Sequence, residues 1–206
     1  MPSSSPARTT RTKSDWSPTS WGTSLAPPLE LWPSIAEYFV YDDLIYYALS
    51  SDELRNRVYR RAIARAVPGQ IVLEIGTGAE AVLARMCVEE GARHVYAIEI
   101  LEESYRKAKQ RIAEAGMSDR ITLIKGDATA ITLPEPAAVC VSEIVGAIGG
   151  SEAAAYIINA AWRLLTPGAK MIPGRSVTRI AALTLPDDFL RAPAFTPLAA
   201  HYVEDL

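Results

Sequence analysis

Short apolar runs alternate with helical patterns through the middle of the 206-residue chain. An apolar run without interleaved polar residues indicates a strand buried on both faces, and parallel sheets are built from such strands. Strands that alternate with helices, joined by right-handed crossovers, form a doubly wound sheet. The sequence therefore predicts an α/β fold with a doubly wound, Rossmann-like parallel sheet. Its strands are predicted at 71–75, 94–98, 121–124, 138–142 and 170–172.

Glycine and proline mark the ends of the connecting helices. Gly91 and Gly116 follow two of the helical patterns, and Pro167-Gly168 follows a third. Glycine is typical of these positions because it adopts the left-handed conformation that closes a helix. The three helices are predicted at about 81–90, 102–115 and 152–165.

Two kinds of sequence precede the first strand. Residues 1–30 are rich in Ser, Thr, Pro and Arg with almost no apolar periodicity, which is typical of a disordered leader. Further on, Ser50 with Glu53 three residues later forms a capping box, which predicts a helix to about Ala66. We therefore expect a helical N-terminal region over 31–68.

The pattern breaks again after the fifth strand. Residues 176–185 interleave Thr and Arg with apolar residues, and no helical pattern follows them. This stretch predicts a longer strand. We therefore expect a core domain over 69–175 and the start of a second, β-rich domain over 176–206.

Composition excludes several kinds of partner. The net charge is −3, and without a block of basic residues nothing indicates binding to nucleic acid or to a membrane surface. No apolar run approaches the roughly 20 residues that cross a bilayer, and Met1 to Ser5 lack the apolar stretch of a secretory signal. Cys87 and Cys140 have neither disulfide nor metal-site spacing, so no metal is expected and the cytoplasm is the expected compartment.

A glycine turn joins the first strand to the helix after it. Gly76 and Gly78 allow positive φ there and let a ligand approach the backbone closely. Glu74 ends the first strand, and Glu99 ends the second. An acid at the tip of the second strand accepts hydrogen bonds from both hydroxyls of a ribose. The turn and the two acids therefore predict a nucleotide cradle.

The turn after the third strand offers a further candidate. Asp127 and Ala128 follow Gly126 there, and the Asp127 carboxylate could accept a hydrogen bond from an adenine amino group. The competing interpretation is an ordinary aspartate turn, which has no ligand.

Two ligand classes fit the cradle. The spacing Gly76-x-Gly78-x-x-Ala81 satisfies the dinucleotide fingerprint, which places a pyrophosphate at the helix N-terminus. Glu80 and Glu74 would put carboxylates near that anion. S-adenosylmethionine instead carries a cationic sulfonium and an ammonium, so electrostatics favour the methyl donor over NAD.

A pair of glutamates follows the fourth strand, Glu143 and Glu152, nine residues apart. Two convergent carboxylates indicate a cationic second substrate, and a planar guanidinium fits them best because it can be held bidentately. Glu143 lies at the carboxyl end of a parallel strand, where active sites form. Glu152 has a competing interpretation, since an acid at a helix start is favoured by the helix dipole.

Four motifs follow one another along the chain: Tyr38-Phe39, the segment Asp52 to Arg55, the pair Glu143 and Glu152, and Pro173-Gly174-Arg175. With the glycine turn and Glu99, they resemble the class I methyltransferases and, within them, the protein arginine methyltransferase family. The resemblance covers about 38–175, roughly two thirds of the chain.

The resemblance implies a role for each motif. Tyr38 and Phe39 would form a lid over the cofactor, as part of a helical lid over 31–68. Arg55 would pair with the methionine carboxylate. The family's adenine contact would fall at Thr129 rather than at Asp127. The end of the chain, 176–206, would be the beginning of a truncated β-barrel substrate domain, and a full-length form would be a homodimer.

The resulting hypothesis is an S-adenosyl-L-methionine-dependent N-methyltransferase that releases S-adenosylhomocysteine. The acceptor would be a guanidino group, either of arginine in a protein or of free arginine or another guanidino metabolite. Glu143 and Glu152 would grip it and bias its charge, and one of them would take the proton. Two alternatives stay open: an NAD-dependent oxidoreductase, and a cofactor-binding module that is inactive without its barrel.

Overall fold

The computed structural model describes residues 43–145, 153–179, 182, 184–185 and 187–191. Two helices, α1 and α2, precede a region in which strands and helices alternate. The helices are α1 Asp43–Ser51, α2 Glu53–Ala66, α3 Val82–Glu89, α4 Glu102–Glu114, α5 Ala154–Ala161 and α6 Asp187–Arg191. The strands are β1 Ile71–Ile75, β2 His94–Glu99, β3 Ile121–Lys125, β4 Ala137–Ser142 and β5 Leu165–Ile172, and a 3₁₀ turn, Trp162–Leu164, precedes β5.

The five strands form one sheet in the order β3-β2-β1-β4-β5, and every neighbouring pair is parallel. From β1 the chain moves outward through β2 to β3, then returns to the other side of β1 for β4 and β5. The direction of winding therefore reverses between β1 and β4. In open α/β sheets, ligands bind at the carboxyl ends of the strands beside such a reversal.

Both faces of the sheet are covered, which explains why its central strands are apolar except near their ends. Val72, Val95 and Val139 face a core layer that also contains buried residues of α2, α3 and α4. Leu73 and Cys140 face the opposite layer, to which the end of α5 and the 3₁₀ turn contribute. The predicted doubly wound α/β sheet is confirmed.

The start of α2 differs from the sequence prediction. Asp52, not Ser50, caps α2: its carboxylate accepts a hydrogen bond from the Arg55 N–H at 2.9 Å. Ser50 lies in the last turn of α1, where its hydroxyl donates to the Tyr47 carbonyl. The predicted capping box was therefore wrong, because α2 begins two residues later than that box requires and Asp52 caps its first turn.

The fifth strand begins earlier than predicted. The helix predicted over 152–165 covers Ala154–Ala161 among the described residues, and β5 then runs through Pro167-Gly168. Proline is tolerated there because β5 has a strand on only one side in the described sheet, and the pairing with β4 shifts register between Ala137 and Val139.

The strand predicted over 176–185 is not formed in its described residues, 176–179, 182 and 184–185. The five-residue helix α6 belongs to a separate compact unit, so we describe it by itself. Within the described part of the chain, no helix combines the length and apolarity needed to cross a membrane.

Candidate functional site

The glycine turn after β1 requires glycine at two positions. Gly76 has φ of +80° and Gly78 has φ of +66°, in the left-handed region that side chains disfavour. A Cβ at Gly76 would lie 2.9 Å from Cγ2 of Ile144, and one at Gly78 would lie 2.9 Å from Cε1 of Tyr46. The backbone of this turn is therefore closely approached by side chains from α1 and from the segment after β4.

Glu99, at the end of β2, is buried and bonded to the glycine turn. Its Oε2 accepts a hydrogen bond from the Gly78 N–H at 2.8 Å, and its Oε1 accepts one from the Leu101 N–H at 2.7 Å. Each carboxylate oxygen has a second lone-pair position. The arrangement fixes the carboxylate against the turn and leaves it able to accept from a diol.

Glu74, at the end of β1, is fully buried. Its Oε2 is hydrogen-bonded to the hydroxyl of Thr77, while its Oε1 has no hydrogen-bond partner among the described residues. Burial raises the pKa of Glu74 to about 8; the Thr77 hydrogen bond lowers it, the charge of Glu99 raises it, and Arg55 lowers it. An acid in these surroundings is largely neutral at pH 7.

Arg55 joins α2 to the segment after β4. Its Nη2 lies 3.0 Å from Oε2 of Glu143, and both side chains are largely buried, with 17% and 28% of their surfaces exposed. The Nη1 group donates to Oδ1 of Asn56 at 2.9 Å, and the guanidinium carbon lies 5.2 Å from the ring centre of Tyr59. The remaining donor, Nε, is buried and has no partner among the described residues.

Tyr59 supports the same pair from one turn further along α2. Its hydroxyl donates to the carbonyl oxygen of Ser142 at 3.1 Å, directly before Glu143 in sequence. Burial raises the pKa of Tyr59 to about 12; the charge of Glu143 raises it further, and Arg55 lowers it. The phenol therefore stays a donor at neutral pH and helps to fix the end of β4.

Tyr46 lies beside the site, although it was not among the predicted site residues. Its ring lies against Gly78, and its hydroxyl shares a hydrogen bond of 2.7 Å with the buried Ser104 Oγ in the first turn of α4. The side chain thus connects α1 to α4 across the glycine turn. No local pattern links residues 58 positions apart, so only a three-dimensional arrangement identifies this contact.

The turn after β3 is stabilised internally. Oδ1 of Asp127 accepts a hydrogen bond from the Thr129 N–H at 2.8 Å, which lowers the pKa of Asp127, while Ala128 is buried. Nη2 of Arg163, in the 3₁₀ turn, donates to the carbonyl oxygens of Thr129 and Ile131, both at 2.8 Å. Arg163 was not predicted, because its partners are backbone groups that leave no signal in the sequence.

The structure brings together the predicted residues at the carboxyl ends of β1, β2 and β4: Glu74, Gly76, Gly78, Glu99, Arg55 and Glu143. Glu80, whose carboxylate argued against a pyrophosphate, forms an ion pair with Arg111 at 3.0 Å. Tyr38, Phe39 and Glu152 lie outside the described residues, so their predicted roles stay predictions.

Comparisons with known proteins identify the family to which this chain belongs. The family model described as "Methyltransferase domain" matches residues 54–173, more than half of the chain. The chain therefore belongs to the methyltransferase domain family. Together with the parallel sheet, this confirms the predicted class I methyltransferase fold, and S-adenosyl-L-methionine is the cofactor that the family implies.

Curated relatives are named as arginine methyltransferases. The chain is 32% identical over 159 residues to a probable histone-arginine methyltransferase 1.3 of Arabidopsis thaliana, covering 74% of this chain and 29% of the relative. It is 33% identical over 144 residues to protein arginine N-methyltransferase 1 of Schizosaccharomyces pombe, covering 68% and 42%. The chain thus spans less than half the length of these two relatives.

Solved structures agree on the fold. A PRMT1 enzyme-prozyme heterotetrameric complex with AdoHcy from Trypanosoma brucei superposes with a TM-score of 0.58 at 27% identity, covering 62% of this chain and 41% of that one. Protein arginine methyltransferase 10 of Arabidopsis thaliana gives a TM-score of 0.55 at 27% identity, covering 64% and 37%. The predicted resemblance to protein arginine methyltransferases is confirmed at the level of the core domain.

The described residues fit the cofactor that the family implies. The left-handed turn at Gly76 and Gly78 lets the Gly78 N–H bind the Glu99 carboxylate, which keeps lone pairs for the hydroxyls of a ribose. Arg55 and Glu74 contribute one buried donor and one buried acceptor that have no partner among the described residues. The methionine part of S-adenosyl-L-methionine carries a carboxylate, which could accept from Arg55, and an ammonium, which could donate to Glu74.

Proposed function

We propose that this chain is the cofactor domain of an S-adenosyl-L-methionine-dependent N-methyltransferase that acts on a guanidino group. The observation that carries the proposal is the ion pair between Arg55 and Glu143, 3.0 Å long and largely buried beside the glycine turn. The protein's own guanidinium lies on the Glu143 carboxylate. A carboxylate that already binds one guanidinium at the carboxyl edge of the sheet has the chemistry to bind a second, from a substrate.

The cofactor would be held by residues from four elements. The backbone at Gly76 and Gly78 would lie against the cofactor, and Glu99 would accept hydrogen bonds from the ribose hydroxyls. Arg55 would pair with the carboxylate of the methionine part. Asp127, Ala128 or Thr129 would contact the adenine. When bound, S-adenosyl-L-methionine supplies an electrophilic methyl group, and its product is S-adenosylhomocysteine.

The carboxylates of Glu143 and Glu152 would orient the acceptor and take up its proton. A guanidinium has a pKa above about 12, so it arrives as a cation and needs orientation more than deprotonation in advance. Glu143, with Glu152 as the second carboxylate, would hold two of its nitrogens and leave the third free to react. The proton released on methylation would pass to one of these glutamates. Orientation and electrostatics would contribute most of the rate enhancement.

The methyl acceptor is either arginine in a protein or a small guanidino molecule. The names of the relatives support arginine in a protein. The residues that follow Glu143 here are Ile144 and Val145. They are less bulky than the residues usual at these positions in the family that the chain resembles, and this favours a small guanidino molecule as the acceptor. The expected compartment is the cytoplasm, and the expected full-length form is a homodimer. The heterotetrameric structural neighbour supports oligomerisation in general.

The test is transfer of a labelled methyl group from S-adenosyl-L-methionine to free arginine and to an arginine-containing peptide, compared side by side. Glu143→Gln should lower the rate by at least about a hundredfold, the usual cost of losing an electrostatic contact made in the transition state. The matched control is Glu89→Gln, which removes a carboxylate paired with Arg60 at 2.7 Å on the surface and should leave the rate unchanged. Equal rates in the two variants would contradict the proposal.

Two further outcomes separate the alternatives. Binding of S-adenosylhomocysteine without transfer to either acceptor, with transfer restored in a longer chain, would identify a cofactor-binding module that needs the rest of its protein. Tight binding of NADH would support the oxidoreductase alternative instead; the methyltransferase family match favours the methyl donor.

A further inference from the structure

Two buried side-chain polar atoms of the described residues have no hydrogen-bond partner, and both lie in the proposed cofactor site. One is a donor, Nε of Arg55, and the other is an acceptor, Oε1 of Glu74 when that acid is ionised. Buried polar groups are nearly always paired, so an unpaired donor and acceptor together indicate a ligand with complementary groups. An α-amino acid has them on a single carbon, as a carboxylate and an ammonium.

The surroundings of Glu74 favour its neutral form. The Thr77 hydroxyl donates to Glu74 Oε2. The Ile98 carbonyl oxygen near the same hydroxyl already accepts from the Gly76 and Thr77 N–H groups at 3.0 and 3.1 Å. The other carboxyl oxygen, Oε1, is buried and has no donor among the described residues. An ionised Glu74 would therefore bury negative charge on an oxygen without a hydrogen bond, and the neutral acid avoids much of that cost.

The groups that face Glu74 come from four neighbouring elements: Arg55 on α2, Cys87 on α3, Glu99 on β2 and Cys140 on β4. Arg55 stabilises the carboxylate, whereas burial and the negative charge of Glu99 stabilise the acid. Both thiols are buried, which raises their pKa values and keeps them neutral at pH 7. Among the described residues, Arg55 is the one positive charge that acts on Glu74, and the Glu143 carboxylate already pairs with it.

We propose that Glu74 is a neutral carboxylic acid in the ligand-free protein and loses its proton to solvent when an ammonium group binds beside Arg55. This inference rests on the proposed use of S-adenosyl-L-methionine, whose amino acid end carries that ammonium. The O–H bond of the carboxyl group breaks, the proton passes to the buffer, and the new carboxylate faces the ammonium. Binding therefore releases one proton, and affinity rises with pH up to the pKa of the free protein.

The experiment is calorimetric titration with S-adenosylhomocysteine at pH 7 in two buffers of different ionisation enthalpy. The wild-type protein should release close to one proton per site, and Glu74→Gln should release none. Between pH 6 and 7.5, the dissociation constant of the wild type should fall by up to about tenfold per pH unit, with a flat profile in the variant. 5′-Methylthioadenosine has no amino acid end, and its binding should release no proton from either protein.

The outcomes separate a failure of the Glu74 inference from a failure of the proposed function. Binding of S-adenosylhomocysteine without proton release overturns this inference and leaves the proposed function intact. A complete lack of binding overturns the proposed function itself. Proton release that persists in Glu74→Gln assigns the proton to another group and also overturns the inference. Should that variant not fold, infrared difference spectra of the wild type replace it: loss of a protonated-carboxyl band on binding supports the inference, and an unchanged band overturns it.

Discussion

The hydroxyl of Tyr59 on α2 donates a hydrogen bond to the carbonyl oxygen of Ser142 at the end of β4, over 3.1 Å. Ser142 directly precedes Glu143, which is paired with Arg55 from the same helix as Tyr59. The helix therefore holds the end of β4 twice, once through the backbone and once through a side chain. Both contacts position the carboxylate that we assign to the acceptor.

Removing the backbone contact should disturb the site more than the fold. Tyr59→Phe loses one partly buried hydrogen bond, which costs about 1 kcal/mol of stability. The Glu143 carboxylate then loses part of its support, and methyl transfer should fall by about tenfold because small displacements of a catalytic group are costly. The control is Tyr47→Phe, at an exposed tyrosine of α1, which should change neither. A full rate in Tyr59→Phe would show that the contact is dispensable.

The glycine turn should tolerate no side chain at Gly78. Gly78→Ala combines a positive φ, which costs roughly 1–2 kcal/mol in a residue with a Cβ, with a contact of 2.9 Å to the Tyr46 ring. Gly116→Ala has nearly the same φ, +67°, but nothing lies within 4 Å of its Cβ. Urea unfolding should therefore show a larger loss of stability for Gly78→Ala, and the difference measures the steric contact alone. Equal losses would mean that Tyr46 moves aside without cost.

Stability should depend on pH through Glu74. Its pKa is raised to about 8 in the folded protein from an ordinary value of 4.5, so the folded state keeps a proton that the unfolded state loses. The stabilisation is fully present below pH 4.5 and is lost as pH rises through about 8. Across this window the free energy of unfolding should fall by about 1 kcal/mol per pH unit relative to Glu74→Gln. Denaturant titrations of both proteins at several pH values measure the difference, and parallel profiles would contradict the assignment.

Arg163 should affect the adenosine end of the ligand. Arg163→Ala removes both hydrogen bonds that hold the carbonyl oxygens of Thr129 and Ile131. Binding should weaken by roughly three- to tenfold, which is the worth of about 1 kcal/mol of net hydrogen bonding. S-adenosylhomocysteine and 5′-methylthioadenosine should be affected equally, because they share the adenosine. Arg106→Ala, at an exposed arginine of α4, is the control. A loss confined to S-adenosylhomocysteine would place the effect elsewhere in the site.

The sheet could be predicted because its signal is local. Each of the first four strands was found to within one residue at either end, since an uninterrupted apolar run between glycine-rich turns has few other interpretations. The fifth strand was missed at its start because Pro167-Gly168 resembles a helix end, and only pairing with β4 makes an edge strand of it. Position in the sheet is a tertiary property that a local pattern does not contain.

The candidate site divides in the same way. Gly76, Gly78 and Glu99 could be predicted because the fold places the ends of neighbouring parallel strands together. The ion pair between Arg55 and Glu143 could not be predicted, because the two residues are 88 positions apart. Each was expected to bind a ligand, Arg55 the cofactor and Glu143 the acceptor, and not the other residue. Tyr46 and Arg163 act through a distant hydroxyl and through backbone carbonyls, and such partners leave no mark on spacing or composition.

Helix α2 ends in the core and begins in the site. Ile63 and Val67, at its far end, are fully buried against the sheet, whereas Arg55 lies about 12 Å nearer its start at the usual helical rise. The packing of these two apolar side chains, which do not contact the site, sets the orientation of the helix. A change in that packing would therefore shift the Arg55 guanidinium. A substitution that only improves the packing of the core at Ile63 or Val67 should thus also change the affinity for the cofactor.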